Sequence, residues 1–226
     1  MPYIEAETVD EVTREKLNSL LEQSRHRYWK AKRSFDIVAC ILILLLIWPL
    51  LLIVPIIIMI DDHSAGPIYK QVRVGRHGEE FLMYKFRTMH AGADQMKASL
   101  EAQNEMDGPV FKMKDDPRVT RVGKFLRKVS LDELPQLFNV LKGNMSLVGP
   151  RPALPREVAE YTDYQRLRLL VTPGITCEWQ ISHNRNDIPF DQWVEMDLDW
   201  IQHRSFWYDI LIILKTPLVM ISGTGR

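Results

Sequence analysis

The sequence predicts a mainly helical α+β chain, and three observations carry that reading. An uncharged run from Ile37 to Ile60 is broken by two prolines, Pro49 and Pro55. The stretch from Pro67 to Met89 alternates as a β-hairpin does. The remainder falls largely into helix-length segments separated by Gly and Pro stops. At 226 residues the chain suffices for one domain with a real core, with room for an appendage.

Residues 1–30 are polar and helix-prone, with Val9 to Leu21 loosely amphipathic, so a surface helix or a partly disordered arm is expected. The apolar run Ile37–Ile60 starts too late and runs too long for a secretory signal. As one straight helix it would reach about 36 Å, enough to cross a hydrocarbon core of about 30 Å. Two features oppose a plain span. Pro49 and Pro55 remove backbone donors and favour a bend. Cations flank both sides: Arg25, Arg27, Lys30, Lys32 and Arg33 before, Lys70, Arg73 and Arg76 after. Because positive charge favours the cytoplasmic side, a segment that dips into one leaflet and returns fits as well as a span.

In the hairpin, Ile68, Val72 and Val74 share one face. Gly75 to Gly78 makes the turn, and Phe81, Met83, Lys85 and Arg87 share a face of the return strand. Helices are expected over Ala91–Glu105, ended by Gly108-Pro109, over Ser130–Leu141, closed by Gly143, and over Val158–Leu170, stopped by Thr172-Pro173-Gly174. Trp193, Trp200 and Trp207 recur every seven residues, close to one helical face if the helix survives Ser205. Core packing and a place at the headgroup level explain them equally well. Phe206 to Ile221 is apolar but short for a span, which suits a helix lying at a bilayer surface.

The charge balance of 29 basic and 29 acidic residues gives no global attraction to nucleic acid. Cys40 and Cys177 form neither a disulfide framework nor a CxxC metal site. The six histidines show no ligand-pair spacing, which argues against zinc.

The chemistry concentrates in Leu126–Pro152, LRKVSLDELPQLFNVLKGNMSLVGPRP. Ser130-Leu131-Asp132-Glu133 matches a capping box, with Glu133 reaching back to Ser130. The same pair can also serve phosphate chemistry, one carboxylate capping while the other reacts. Lys112, Lys114, Arg118, Arg121, Lys124, Arg127 and Lys128 crowd the preceding segment, and a helix start among cations is a natural phosphate seat. A carboxylate held there could attack phosphorus or hold a magnesium ion. Lys85 and Arg87, two apart on a strand, could grip a diphosphate. Arg151 lies between Pro150 and Pro152, which restrict its backbone and lower the entropic cost of aiming it. Arg185, in the 183–187 loop, is a weaker candidate for a second anion contact.

Taken together these residues resemble the bacterial sugar transferase family, the monotopic phosphoglycosyl transferases that use polyprenyl phosphate. The landmarks run from about Lys32 to Arg226. They are KRSFD at 32–36, the proline-broken apolar helix, YKFRTM at 84–89, the block from Asp115 to Pro152, TPGITCEWQ at 172–180 and DLDWI at 197–201. The resemblance implies transfer of a sugar-1-phosphate from a UDP-sugar to polyprenyl (undecaprenyl) phosphate, releasing UMP. It implies Asp132 as the nucleophile that forms an acyl-phosphate and holds Mg2+, with Glu133 assisting by positioning the metal or acceptor. Arg127, Lys85, Arg87, Arg151 and Arg185 would lie near the nucleotide or phosphates. Many members carry Gly-Arg-Asn where this chain has Asn184-Arg185-Asn186, a change in backbone freedom beside Arg185.

The architecture so implied is an N-terminal arm over 1–33, a re-entrant membrane helix over 34–61 and a single cytoplasmic catalytic domain over 62–226 with membrane-surface helices. The setting would be the bacterial inner membrane, with membrane lipid and downstream glycosyltransferases as partners and no nucleic acid. A homodimer is left open. The chain would be a compact catalytic unit, without the N-terminal multi-span region of longer relatives. Two rival readings remain. One is a non-catalytic membrane-associated scaffold of a glycan assembly complex. The other is a metal-dependent glycosyltransferase, which would release UDP in place of UMP. Asp197-Leu198-Asp199 has the metal-motif spacing for the latter but falls in an expected helix.

Overall fold

The computed structural model describes residues 10–22, 26–100, 104–105, 108–111, 113, 115–182 and 187–221. The fold is mostly helical with two small sheets, and it is built around one long apolar helix. Helix α1 (Glu11–Glu22) starts at Asp10, whose carboxylate accepts from the Thr13 backbone N–H and hydroxyl. Its buried Leu17 and Leu20 join the main core, and Lys16 donates to Gln202 at 2.8 Å. Within the 1–30 segment, Glu11–Glu22 is thus a docked helix.

Helix α2 (His26–Asp61) runs continuously through the apolar segment with both prolines inside it. Over Tyr28–Asp61 it is long and apolar enough to cross a membrane. Its two ends are held by the same body. Near the start, Lys32 and Tyr28 both donate to Asp209 at 2.7 Å, Ser146 donates to Asp36 at 2.7 Å, and Arg33 donates to the carbonyls of Val140 and Leu141. Near the end, Val54 and Ile58 pack with Phe86 and Leu126, and Asp61 accepts from the Val122 N–H at 3.2 Å. Between these anchors the helix carries exposed Leu42, Leu45, Leu46 and Trp48.

Strands β1 (Ile68–Val74) and β2 (Glu80–Phe86) form the expected antiparallel hairpin, joined by a short 3-10 turn over Arg76–Gly78. Helix α3 (Ala93–Leu100) follows. Helix α4 (Arg121–Lys128) begins at Thr120, whose side chain accepts from the Gly123 N–H. A single 3-10 turn over Leu131–Glu133 leads to α5 (Gln136–Lys142), closed by Gly143 at φ +89°. The expected helix over Ser130–Leu141 is therefore split, with the acidic pair on its own turn. Pro135 marks the break: its missing N–H suits a helix start, not a helix interior.

Strand β3 (Ser146–Val148) pairs in parallel with β4 (Gly174–Thr176), a contact between distant segments that local periodicity does not reveal. Between them the expected helix over Val158–Leu170 is three short pieces: α6 (Pro155–Ala159), α7 (Asp163–Arg166) and a 3-10 turn over Leu167–Leu170. Thr162 re-initiates the chain with a capping box to Gln165, which explains the interruption.

The tryptophan series is also divided. Helix α8 (Phe190–His203) ends before Ser205, and α9 (Phe206–Ile221) is a separate helix. Trp193 and Trp200 are buried in the core, while Trp207 is 77% exposed. Trp207, Leu211, Leu214 and Leu218 form an exposed apolar stripe along α9. Asp197 of the metal-like spacing is buried against Arg168, and Asp199 pairs with His203, so the two carboxylates serve different partners.

Candidate active site

Asp132 and Glu133 sit where α4, β2 and the Pro150-Arg151-Pro152 segment converge. The chain reaches them through Ser130, which adopts the left-handed conformation at φ +53°. A non-glycine residue there is unusual and is associated with functional sites. Ser130 makes no side-chain cap. The capping-box expectation fails because Glu133 turns toward cations on other elements.

Those cations come from three directions. Lys85, at the end of β2, places Nζ 2.8 Å from Glu133 Oε1 and 3.9 Å from Asp132 Oδ2. Arg151 places Nη1 3.4 Å from the same Glu133 oxygen. Arg127, in the last turn of α4, donates through Nε to the Thr88 hydroxyl at 2.9 Å, and its charge acts on Asp132.

The two carboxylates are consequently unlike. Burial acts to raise both. For Glu133 the two adjacent cations and their hydrogen bonds win and hold it down to about 2. Asp132 has no hydrogen bond to Lys85, and burial dominates, raising its pKa above the ordinary aspartate range. Two neighbouring carboxylates pushed apart in this way can divide roles. Glu133 stays ionised at neutral pH and anchors the two cations, while Asp132 is the more basic carboxylate, 3.9 Å from Lys85 Nζ.

Positioning comes from backbone contacts. The Pro150 carbonyl accepts from the Gly174 N–H at 3.0 Å, the Pro152 carbonyl from Arg73 Nη1 at 2.9 Å, and the Ala153 carbonyl from the Val74 N–H at 2.9 Å. Arg151 is therefore pinned between the two sheets as well as stiffened by prolines. On the other side, the fully buried Asn139 accepts from the Tyr84 N–H at 3.0 Å and donates to the Leu82 carbonyl at 2.7 Å. One carboxamide thus satisfies the free edge of β2 and fixes Lys85 against α5.

Of the residues expected from the sequence, Asp132, Glu133, Lys85, Arg127 and Arg151 come together. Arg87 does not converge with Lys85. Its guanidinium donates to the Asp62 carboxylate at 2.9 Å, to the Gly66 carbonyl at 2.9 Å and to the Asp62 carbonyl, so it secures the exit of α2. Arg118 is bound to Asp116. Arg185, Lys112 and Lys114 lie outside the described residues. Asn139, Arg73 and Thr88 build the site without standing out in the sequence. Thr88 lies inside YKFRTM, while the other two carry no local pattern.

Among the described residues no group of three or more His, Cys, Asp or Glu side chains could cage a metal. Magnesium does not require one. It commonly takes one or two carboxylates and completes its shell with phosphate oxygens and water. Asp132 suits that donor set; Glu133, committed to Lys85 and Arg151, suits it less.

Similarity to known proteins is extensive. The family described as bacterial sugar transferase matches residues 27–223. The galactosyl transferase CpsE of Streptococcus agalactiae serotype III (strain NEM316) is 46% identical over 195 residues, 86% of this chain and 43% of its own. The undecaprenyl-phosphate galactose phosphotransferase of Salmonella typhimurium is 44% identical over 201 residues, covering 86% of this chain and 41% of its own. This chain thus spans less than half of those two relatives. The exopolysaccharide production protein ExoY of Rhizobium meliloti, 40% identical over 198 residues, is matched across 86% of its length. With both the landmark blocks and the family match covering nearly all of it, this chain belongs to the bacterial sugar transferase family.

Proposed function

We propose that this protein moves a sugar-1-phosphate from a UDP-sugar to polyprenyl (undecaprenyl) phosphate through a covalent intermediate on Asp132. The observation that carries the reading is the asymmetry of the acidic pair: Glu133 is neutralised by Lys85 and Arg151, while the neighbouring Asp132 is buried with its oxygens less satisfied. An Asp132 oxygen attacks the sugar-bearing phosphorus. The bond from that phosphorus to the bridging oxygen breaks, and UMP leaves with the bonding electron pair. An oxygen of polyprenyl phosphate then attacks the same phosphorus, the acyl-phosphate bond breaks, and Asp132 returns as a carboxylate. The lipid product is a polyprenyl-diphosphate-sugar, the first membrane step of surface polysaccharide synthesis. The names of relatives, which include undecaprenyl-phosphate galactose and glucose phosphotransferases, support this chemistry.

Negative charge must approach negative charge in both steps. Lys85, Arg127 and Arg151 lower that repulsion, and Glu133 holds two of them in place. Mg2+ held by Asp132 and the donor diphosphate would supply further charge neutralisation. With its pKa near 2, Glu133 is a poor proton acceptor at neutral pH, and positioning is the role that fits it.

We also infer that α2 enters and leaves one leaflet, so that the catalytic residues face the cytoplasm at the inner membrane. Both ends of α2 bond to one body while its middle exposes apolar side chains, and the α9 stripe offers a second lipid-facing surface. Single cysteines at Ser34 and His63 should then react with an impermeant thiol reagent from the same side, whereas labelling from opposite sides would require a span.

The reaction is tested by intact-protein mass after incubation with magnesium and a panel of UDP-sugars, without lipid acceptor, beside Asp132→Asn. A gain of one sugar phosphate together with UMP, absent in the variant, is expected and names the sugar. UDP release, or no nucleotide turnover even with polyprenyl phosphate present, would sink the proposal.

A further inference from the structure

Thr88 bears no charge and its hydrogen bonds go to neither carboxylate, yet it joins both ends of α4 to the exit of β2. It is only 7% exposed. Its carbonyl accepts from the Thr120 N–H at 3.0 Å, and Thr120 caps α4. Its hydroxyl accepts from Arg127 Nε at 2.9 Å, in the last turn of the same helix. Residues 120, 123 and 127 lie on one helical face, and that face rests on Thr88. Gly123 makes the approach feasible, since a Cβ there would fall 2.1 Å from the Thr88 carbonyl oxygen.

A guanidinium is a planar fork of five N–H groups. Fixing Nε fixes the plane and leaves the outer edge, with both Nη nitrogens, for a ligand. Among the described residues only the Thr88 hydroxyl accepts from this guanidinium, whose charge acts on Asp132. Arg127 is half-buried, so a wrongly turned guanidinium would have little bulk water to compensate it.

We infer that Thr88 is a positioning residue for catalysis: its hydroxyl orients Arg127 so that the free edge of the guanidinium meets the phosphoryl group transferred at Asp132. This rests on the reading of Asp132 as phosphoryl acceptor and of Arg127 as a phosphate contact. Thr88→Val keeps the shape and removes the acceptor. Thr88→Ser restores the acceptor and loses a methyl group.

The test is a double-mutant cycle on the full chain in membranes, measuring UMP release with the UDP-sugar identified by the mass experiment and following thermal unfolding alongside. Thr88→Val should lower kcat/KM about tenfold or more, as loss of one oriented charge-assisted hydrogen bond does. Thr88→Ser should stay within about threefold of wild type, and valine should add almost nothing in an Arg127→Ala background, the signature of residues that act as a unit. Should valine fail to fold, Thr88→Ala runs the same cycle. Equal losses with and without Arg127, wild-type turnover in Thr88→Val, or a loss that serine does not restore and that tracks melting temperature would each overturn the inference. Wild-type turnover in Arg127→Ala would instead overturn the assignment of Arg127 on which it rests.

Discussion

Replacing Lys85 by methionine tests the electrostatic logic of the site most directly. Its ammonium lies 2.8 Å from Glu133 and 3.9 Å from Asp132, and all three side chains are largely buried. At about 4 Å and an effective dielectric of about 20, a unit-charge pair is worth roughly 4 kcal/mol. Arg127 and Arg151 remain and compensate part of that, so a loss on the order of 2 kcal/mol is expected at Asp132, about thirtyfold in rate. Glu133 keeps Arg151 but loses its shorter bond, and breaking a buried pair from one side costs about 3 kcal/mol of stability. That corresponds to a melting temperature lower by roughly 6–12 °C for a chain of this size. The sign of the pH effect follows from the charge removed. Without Lys85 the Asp132 carboxylate is harder to ionise, so the acid limb of the rate profile must move to higher pH and activity must recover partly on the alkaline side. The assay is UMP release against pH, compared with thermal unfolding. An acid limb that stays in place would refute the idea that Lys85 sets the charge state of Asp132, even if turnover fell.

Three further outcomes follow from the same geometry. Asp132→Asn should abolish turnover yet melt higher than the wild type at pH 8, because burial raises the Asp132 pKa and the ionised carboxylate therefore opposes folding there. The gain should fade as pH falls and the wild-type carboxyl protonates, and a variant less stable at pH 8 would contradict this. Glu133 has its pKa depressed, so its contribution is complete above the unfolded value of about 4.3 and disappears as pH falls toward 2. Glu133→Gln should therefore be less stable than wild type at pH 6, with the gap closing across that acidic window. Asn139→Leu leaves the Tyr84 N–H and Leu82 carbonyl unpaired and should cost about 2–4 kcal/mol. Faster amide exchange at Tyr84 would locate the effect at the β2 edge.

Part of this architecture is legible in the amino-acid sequence. The hairpin follows from alternation and a glycine-flanked turn, and the apolar stretch Phe206–Ile221 is helical as α9. The blocks around Asp132 and Arg151 are distinctive enough to identify the family. Other elements depart from their local signals for definable reasons. The capping box at Ser130 is a valid local option, but cations on two distant segments compete for Glu133 more strongly than a backbone N–H does. Arg87 has the strand parity of Lys85, yet the end of α2 lies within its reach and takes its guanidinium. The heptad tryptophans fall on two helices because the chain breaks at Arg204-Ser205, leaving two in the core and one exposed.

By itself the sequence determined the family, the apolar helix and which acidic pair faces the cations, because these depend on residue identity and short-range spacing. The tertiary structure alone decided that the two carboxylates differ. That difference arises from which oxygen Lys85 and Arg151 reach, and those distances are set by Asn139 against the edge of β2 and by the backbone bonds that pin the 150–153 segment. Both are contacts between residues far apart in the chain, and their energy depends on burial and direction, which no local pattern encodes.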